Sequence, residues 1–130
     1  MLRLPRFVME VPRTIDEAAR RLRELGAHQQ DAASVGTGGL RVMVVAGGTD
    51  LYPNMKRRQF APEILVSLRR ALSAGVRANG QVTIGAGATL TAVADHPLIR
   101  SRYTALALAA GLVSTPQLRN MGTIDRKSVV

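Results

Sequence analysis

The chain has 130 residues, 46% of them hydrophobic, which suits one compact domain with its own core. The absence of cysteine excludes disulfides, thiolate-held iron–sulfur clusters and cysteine-based zinc sites within these residues and fits a cytoplasmic location, and no apolar stretch approaches the length of a membrane span. The formal charge of +9 comes almost entirely from arginine, but aromatic residues make up only 3%, so we expect a solvated basic surface, or a basic piece separated from an acidic remainder, and no nucleic-acid partner.

The first predicted elements are a short strand and a helix. Residues 7–11 alternate well enough for a strand. Thr14 and Glu17 then have the spacing of a capping box, in which the hydroxyl and the carboxylate accept hydrogen bonds from free backbone N–H groups. Apolar residues follow at helical spacing, and Gly26 is a natural stop signal, so we expect the helix to end there.

A loop, a buried strand and a glycine turn come next. Residues 27–39 are polar and rich in glycine, which predicts a flexible loop. Residues 41–46 contain a continuous apolar run, which is typical of a strand buried on both faces. Gly47 and Gly48 interrupt this run, and residues 51–58 predict a short helix. The first part of the chain therefore alternates strand, helix, strand and helix.

The second part predicts more strands and a long helix. We expect strands at residues 63–68, 76–78 and 81–86. Asn79 and Gly80 join the last two as a hairpin, because this pair supplies the positive φ angles of a tight turn. Residues 91–95 predict a short helix, and residues 98–113 are apolar nearly all round, so we expect a mostly buried helix there. These elements indicate an α+β or α/β-like class with two small strand–helix units.

The turn after the buried strand is the first candidate ligand site, and it consists of Ala46, Gly47, Gly48, Thr49, Asp50 and Leu51. Two glycines allow a sharp turn and a close approach of ligand to backbone, and successive N–H groups can bind a pyrophosphate. The carboxylate of Asp50 repels phosphate, so it must point away, cap the helix or bind a ligand hydroxyl. Tyr52 could stack on a ring system or cover the edge of the core. Alone, such a sequence is more often only a turn.

A second candidate site lies in residues 117–124, which we expect to form an ordered loop. Arg119 could neutralise phosphate charge, while Gly122 and Thr123 could offer backbone and hydroxyl donors. The alternative is that Arg119 and Asn120 only attach the loop to the domain by hydrogen bonds. His28 and His96 have no partners that would form a catalytic or metal site, so we expect neither in this chain.

Three segments of the sequence resemble the signatures of a known family: residues 46–51 with Pro53, Met55 and Lys56; residues 83–86 with Thr89 and Leu90; and residues 119–124. Their order is similar to that in the FAD-binding subunit of the molybdenum hydroxylases, which include xanthine dehydrogenase, carbon monoxide dehydrogenase and 4-hydroxybenzoyl-CoA reductase. The amino-acid sequence of residues 115–123 looks closest to that of the beta subunit of 4-hydroxybenzoyl-CoA reductase. The resemblance covers nearly the whole chain up to Ile124.

This resemblance implies a PCMH-type FAD-binding fold of two subdomains, at about residues 1–58 and 59–124. It implies that both glycine-containing loops hold the flavin diphosphate, through Ala46, Gly47, Gly48, Thr49, Asp50 and Leu51 in the first and through Gly122, Thr123 and Ile124 in the second. The flavin of such a subunit transfers electrons between an external partner and an iron–sulfur subunit, while substrate reacts on a large molybdopterin subunit. The alternative function is a non-catalytic phosphate- or nucleotide-binding module.

The sequence departs from the family after Ile124, where the family continues with Gly-Gly-Asn-Leu. Residues 125–130 are instead what a common sequencing-adapter DNA encodes before a stop codon, so we expect a non-native tail on an incomplete second subdomain. The absent part would contain much of the isoalloxazine environment and, in the benzoyl-CoA reductase type, cysteines for an extra cluster. We therefore expect this fragment to be inactive alone.

Overall fold

The computed structural model describes residues 3–26 and 41–124, in which helices and strands form two compact units, Met1–Ala71 and Leu72–Val130. The division lies later than the position near residue 58 expected from the sequence, because the strand that follows residue 58 pairs with the two strands before it. The loop and the C-terminal tail predicted from the sequence lie outside the described residues, as does His28.

The first unit is a three-stranded parallel sheet with two helices. Its elements are β1 (Val8–Glu10), α1 (Ile15–Glu24), β2 (Val42–Val45), α2 (Leu51–Lys56) and β3 (Ile64–Ser67). The strand order is β1-β3-β2, and Ile64 is in register with both Val8 and Val42. The middle strand is the most buried, with Leu65 and Val66 fully inaccessible. The predicted strand–helix alternation of this unit is confirmed.

The start of α1 follows its predicted capping pattern with one difference. The Thr14 hydroxyl accepts a hydrogen bond from the backbone N–H of Glu17 at 3.1 Å. The Glu17 carboxylate accepts from the N–H of Arg13, at 2.8 Å, and not from that of Thr14. At the other end, Gly26 adopts a φ of +68°, which ends the helix as expected.

The second unit contains a hairpin and four short helices. Its elements are β4 (Val76–Asn79), β5 (Gln81–Ile84), α3 (Leu90–Asp95), α4 (Pro97–Arg102), α5 (Thr104–Leu112) and α6 (Pro116–Met121). Asn79 pairs with Gln81 across the turn, and Gly80 has a φ of +75°, which confirms the hairpin. Its core consists of Ala88 and of buried residues from α3, α4 and α5. These are Leu90, Val93, Ile99, Ala107 and Ala110.

The single buried helix predicted for residues 98–113 is wrong in two respects. The helix breaks at Tyr103, where the Thr104 hydroxyl donates to the carbonyl of Arg100 and so competes for a backbone acceptor. In addition, α5 buries only one side, and Leu108 and Leu112 remain 61% and 82% exposed. Apolar residues all round a helix indicate full burial only when neighbours surround it, and the described residues supply neighbours on one side.

The ordered loop predicted for residues 117–124 is also largely a helix. Thr115 caps α6 by accepting from the N–H of Leu118 at 3.4 Å, and Pro116 occupies the first turn. A threonine followed by proline is a helix-start signal that the sequence contained. Among all the described helices, none is long and apolar enough to cross a membrane.

The side chains of Glu10 and Arg21 link β1 to α1. Arg21 Nε and Nη2 donate to the two oxygens of Glu10 at 2.8 and 2.6 Å, a two-pronged geometry. The hydrogen bond from Arg21 lowers the pKa of the Glu10 carboxyl, and it raises that of the guanidinium. The folded-state pKa of Glu10 lies below its unfolded-state pKa. The pair therefore stabilises the fold fully at pH values above the unfolded-state pKa. The contribution is lost as pH falls through the folded-state pKa.

We therefore expect Glu10→Gln to lower the free energy of unfolding by roughly 0.5–1 kcal/mol at pH 7, with the difference from the unsubstituted protein shrinking as pH falls from 7 through the folded-state pKa of Glu10. Urea unfolding across this pH range measures the effect. Glu63→Gln is the matched control, because it removes the same charge from an ion pair with Arg41 whose side chains are 63% and 71% exposed. Equal losses in the two variants would contradict a special role for the Glu10–Arg21 pair.

Candidate cofactor-binding site

The first candidate site lies where β2 ends. Parallel strands have their carboxyl ends at one edge of the sheet, and ligands of such sheets bind outside that edge. Residues 46–50 leave β2 there and lead into α2. Four of them are half-buried, and Asp50 is exposed. The parallel sheet thus places the glycine turn where a ligand has access to the backbone.

The backbone of this turn has free donors. The carbonyls of Val45 and Gly48 accept hydrogen bonds from the N–H groups of Leu68 and Tyr52, at 2.8 and 3.1 Å. Within the described part of the chain, the N–H groups of Gly47, Gly48 and Thr49 donate to no protein acceptor. An N–H group without a protein acceptor can bond to water or to a ligand. Three in succession fit the oxygens of a phosphate or diphosphate.

Gly48 is required at its position for two reasons. Its φ of +72° lies in the left-handed region, which favours glycine. A Cβ there would overlap Cε2 of Tyr52 and lie 2.5 Å from Cδ2. The Tyr52 ring also packs against the core of the first unit, which favours the core-edge role over stacking on a ligand. The space above Gly48 is therefore filled by the protein's own side chain.

Asp50 precedes α2 but does not cap it. Its side chain makes no hydrogen bond to the helix backbone, and Oδ1 instead accepts from Nδ2 of Asn54 at 3.3 Å. The capping alternative considered from the sequence is therefore wrong. A hydrogen bond from a ligand hydroxyl to this exposed carboxylate stays a prediction.

The second candidate segment forms a bridge within its own unit. The N–H of Gly122 donates to the carbonyl of Leu118 at 2.7 Å, and the N–H of Ile124 donates to that of Ala88 at 2.9 Å. The Gly122 carbonyl accepts from Leu90, and Thr123 pairs with Thr89 in an antiparallel bridge. Two of the three N–H groups expected to begin a second cradle thus already have protein acceptors.

Arg119 and Asn120 hold this segment to the rest of the unit. Arg119 Nη1 donates to the carbonyls of Val113 and Ser114 at 3.0 and 2.8 Å. The Thr91 hydroxyl donates to Oδ1 of Asn120 at 2.6 Å. These contacts favour the attachment role that the sequence left open beside direct ligand contact.

The middle signature, residues 83–90, has a structural explanation that the sequence did not supply. A Cβ on Gly85 would overlap the carbonyl oxygen of Ser73, so the close approach of two backbone segments requires glycine there. Thr89 caps α3 by accepting from the N–H of Ala92 at 3.1 Å. In the described ranges, no group of three or more His, Cys, Asp or Glu side chains is placed to hold a metal ion.

Three glycine-to-alanine substitutions separate backbone conformation from steric overlap. Gly75 has an ordinary φ and Gly80 a positive φ, and each has open space around its Cβ position; Gly48 combines positive φ with the overlap on Tyr52. We expect losses in the free energy of unfolding of about 0.5 kcal/mol or less for Gly75→Ala and roughly 1–2 for Gly80→Ala. Gly48→Ala should lower the free energy of unfolding by about 2–4 kcal/mol. Urea denaturation followed by circular dichroism measures all three, and equal costs at Gly48 and Gly80 would rule out the overlap.

Comparison with known proteins extends these observations. Residues 6–124 match the family described as FAD binding domain in molybdopterin dehydrogenase. The carbon monoxide dehydrogenase medium chain of Hydrogenophaga pseudoflava is 34% identical over 122 residues, which are 92% of this chain and 38% of the relative. The FAD-subunit of nicotinate dehydrogenase from Eubacterium barkeri is 37% identical over 83 residues, which are 62% of this chain and 28% of the relative.

A solved structure has the same fold. It is carbon monoxide dehydrogenase from Hydrogenophaga pseudoflava, in a form that lacks the Mo-pyranopterin moiety of its cofactor, and it matches 95% of this chain and 39% of its own with a TM-score of 0.77 at 32% identity. This chain thus spans less than half the length of these relatives. The matches confirm the mixed fold class and FAD as the cofactor of the family. The chain belongs to the FAD-binding domain family of the molybdopterin dehydrogenases.

Proposed function

We propose that this chain binds FAD and serves as the flavin-containing, electron-transferring component of a molybdopterin-dependent oxidoreductase. The observation that carries the proposal is the run of free N–H groups at Gly47, Gly48 and Thr49, at the carboxyl end of a parallel strand, in a chain of this family. FAD supplies the redox chemistry when bound, and the protein supplies its binding and orientation.

In the first loop, some residues donate hydrogen bonds to the ligand and others fix the conformation of the turn. Gly47, Gly48 and Thr49 donate their N–H groups to the diphosphate. Leu51 is only 9% exposed and packs into the core, so it contributes by fixing the turn. Ala46 lets the chain leave β2 without a bulky side chain, and the exposed carboxylate of Asp50 accepts a hydrogen bond from a hydroxyl of the ribityl chain.

Gly122, Thr123 and Ile124 form the second set of residues in this proposal, and they contribute to FAD binding from their own unit. Since the N–H groups of Gly122 and Ile124 bind carbonyls of their own unit, these residues act mainly by placing the backbone. The Thr123 side chain then offers a hydroxyl to the ligand.

The whole protein would transfer electrons between an external partner and an iron–sulfur subunit, beside a large molybdopterin subunit, in the cytoplasm. The named relatives, a medium chain of carbon monoxide dehydrogenase and an FAD-subunit of nicotinate dehydrogenase, support a multi-subunit enzyme. The lack of cysteine in this chain means that the iron–sulfur clusters would be held by another chain or another segment. The similarity of residues 115–123 to the 4-hydroxybenzoyl-CoA reductase type stays a prediction.

The second candidate function is a phosphate- or nucleotide-binding module without redox chemistry. It is motivated by the same three N–H groups, which would bind the diphosphate of any nucleotide. The two functions differ in the ligand part that adds affinity: the isoalloxazine ring for a flavoprotein, the phosphates alone for a general module.

Titration with FAD, ADP and riboflavin distinguishes the two. We expect FAD to bind at least about tenfold more tightly than ADP, and riboflavin, which lacks phosphate, to bind weakest. Quenching of flavin fluorescence follows FAD and riboflavin directly, and ADP is measured by competition. Gly48→Ala should weaken FAD binding by about tenfold or more while Gly75→Ala leaves it unchanged, since only the first alters the turn.

A graft provides a second measurement for the case that 130 residues do not retain flavin. Residues 6–124 replace the matching segment of the Hydrogenophaga medium chain, and the flavin content of the purified graft is compared with that of the unaltered medium chain. Flavin at near-equal stoichiometry would support the proposal. Equal affinity for FAD and ADP would favour the nucleotide module, and a folded graft that takes up no flavin would overturn the proposal.

A further inference from the structure

The connection between α5 and α6 contains an unfavourable backbone conformation. Ser114 has a φ of +49°, which lies in the left-handed region that non-glycine residues rarely adopt. No glycine occupies this corner, so another interaction must stabilise it. The residue before it, Val113, is the C-cap of α5, and the residue after it, Thr115, is the N-cap of α6. The direction of α6 therefore depends on the conformation of this corner.

One side chain reaches back over the corner. Nη1 of Arg119 donates to the carbonyl of Val113 at 3.0 Å and to that of Ser114 at 2.8 Å. Arg119 is itself on α6 and half-buried, so its guanidinium connects the helix to the two residues that precede it. Charge-assisted hydrogen bonds of this kind are stronger than those between neutral groups.

The far end of α6 is held as well. Asn120 is bound by the Thr91 hydroxyl, and the Gly122 carbonyl accepts from Leu90 N–H at 2.9 Å. Because α6 has only six residues, a change at its first turn moves Gly122 directly. The helix α6 thus links the conformation at Ser114 to the position of residues 122–124, which bridge to residues 88–90.

We propose that Arg119 is a positioning residue, which fixes the left-handed corner at Ser114 and through α6 sets the path of residues 122–124 toward the cofactor. Its effect on FAD rests on the function proposed above, whereas its effect on the corner does not. On this proposal, the positive charge of the side chain acts on two main-chain carbonyls of its own unit and not on the phosphates of FAD.

A double-mutant cycle tests the proposal, with Arg119→Gln, Ser114→Gly and the two combined. Glycine accepts the left-handed conformation without strain, so Ser114→Gly should make the corner less dependent on Arg119. We expect Arg119→Gln alone to raise the unfolding equilibrium constant and the Kd for FAD by about tenfold each. In the Ser114→Gly background, the same substitution should change each by about threefold or less.

Arg100→Gln is the matched control for charge, because Arg100 is exposed on α4 and only its backbone makes a hydrogen bond that the structure describes. It should leave both quantities unchanged. A direct phosphate ligand would behave otherwise: Arg119→Gln would weaken FAD and ADP binding equally in both backgrounds and leave unfolding at the level of the control. That result would overturn the proposal.

The two readouts also separate this proposal from the proposed function. If neither the chain nor the graft binds FAD, the function fails, yet urea unfolding still measures the coupling between Arg119 and Ser114. If FAD binds but the two substitutions are additive in unfolding and in affinity, the function stands and the positioning role is wrong.

Discussion

The parallel pairing of β2 with the buried strand β3 is the constraint on which the candidate site depends. β3 lies between β1 and β2, and its Leu65 and Val66 are fully buried, so the register of the sheet is fixed from both sides. The chain must leave β2 at the carboxyl edge and start α2 at Leu51. Gly48 adopts a left-handed conformation in this connection, and the N–H groups of residues 47–49 donate to no acceptor in the described part of the protein.

The first and last signature segments, residues 46–51 and 119–124, use their backbone N–H groups in opposite ways. At residues 47–49 the N–H groups have no acceptor among residues 3–26 and 41–124, which leaves them available to an anionic ligand. At Gly122 and Ile124 the N–H groups bind carbonyls of α6 and of residue 88, which fixes the local path of the chain. The first segment therefore keeps N–H groups that a ligand can use, as the proposed function requires, whereas two N–H groups of the second segment are used within its own unit.

The elements that the sequence predicted correctly are those that local interactions determine. The Thr14 cap, the stop at Gly26 and the Asn79–Gly80 turn each depend on residues close in the chain. The exposed side of α5 and the division after residue 71 depend on distant neighbours, which no periodicity reports. The break at Tyr103 is accompanied by a local hydrogen bond of Thr104, which a pattern of apolar residues does not show. For the site, the glycine turn could be located from sequence, whereas the opposite hydrogen-bonding states of the two segments required coordinates.

A glycine in a signature is not by itself evidence of ligand contact. The Cβ position of Gly48 is blocked by Tyr52, and that of Gly85 by the Ser73 carbonyl, so both glycines are required by the protein's own packing. What distinguishes the Gly48 turn is that its N–H groups donate to no acceptor in the described part of the chain. This observation does not depend on the similarity of the amino-acid sequence to the family signature. Family membership supports a bound FAD, and the N–H groups of residues 47–49 are the observation in the described structure that supports the proposed placement of its diphosphate at this turn.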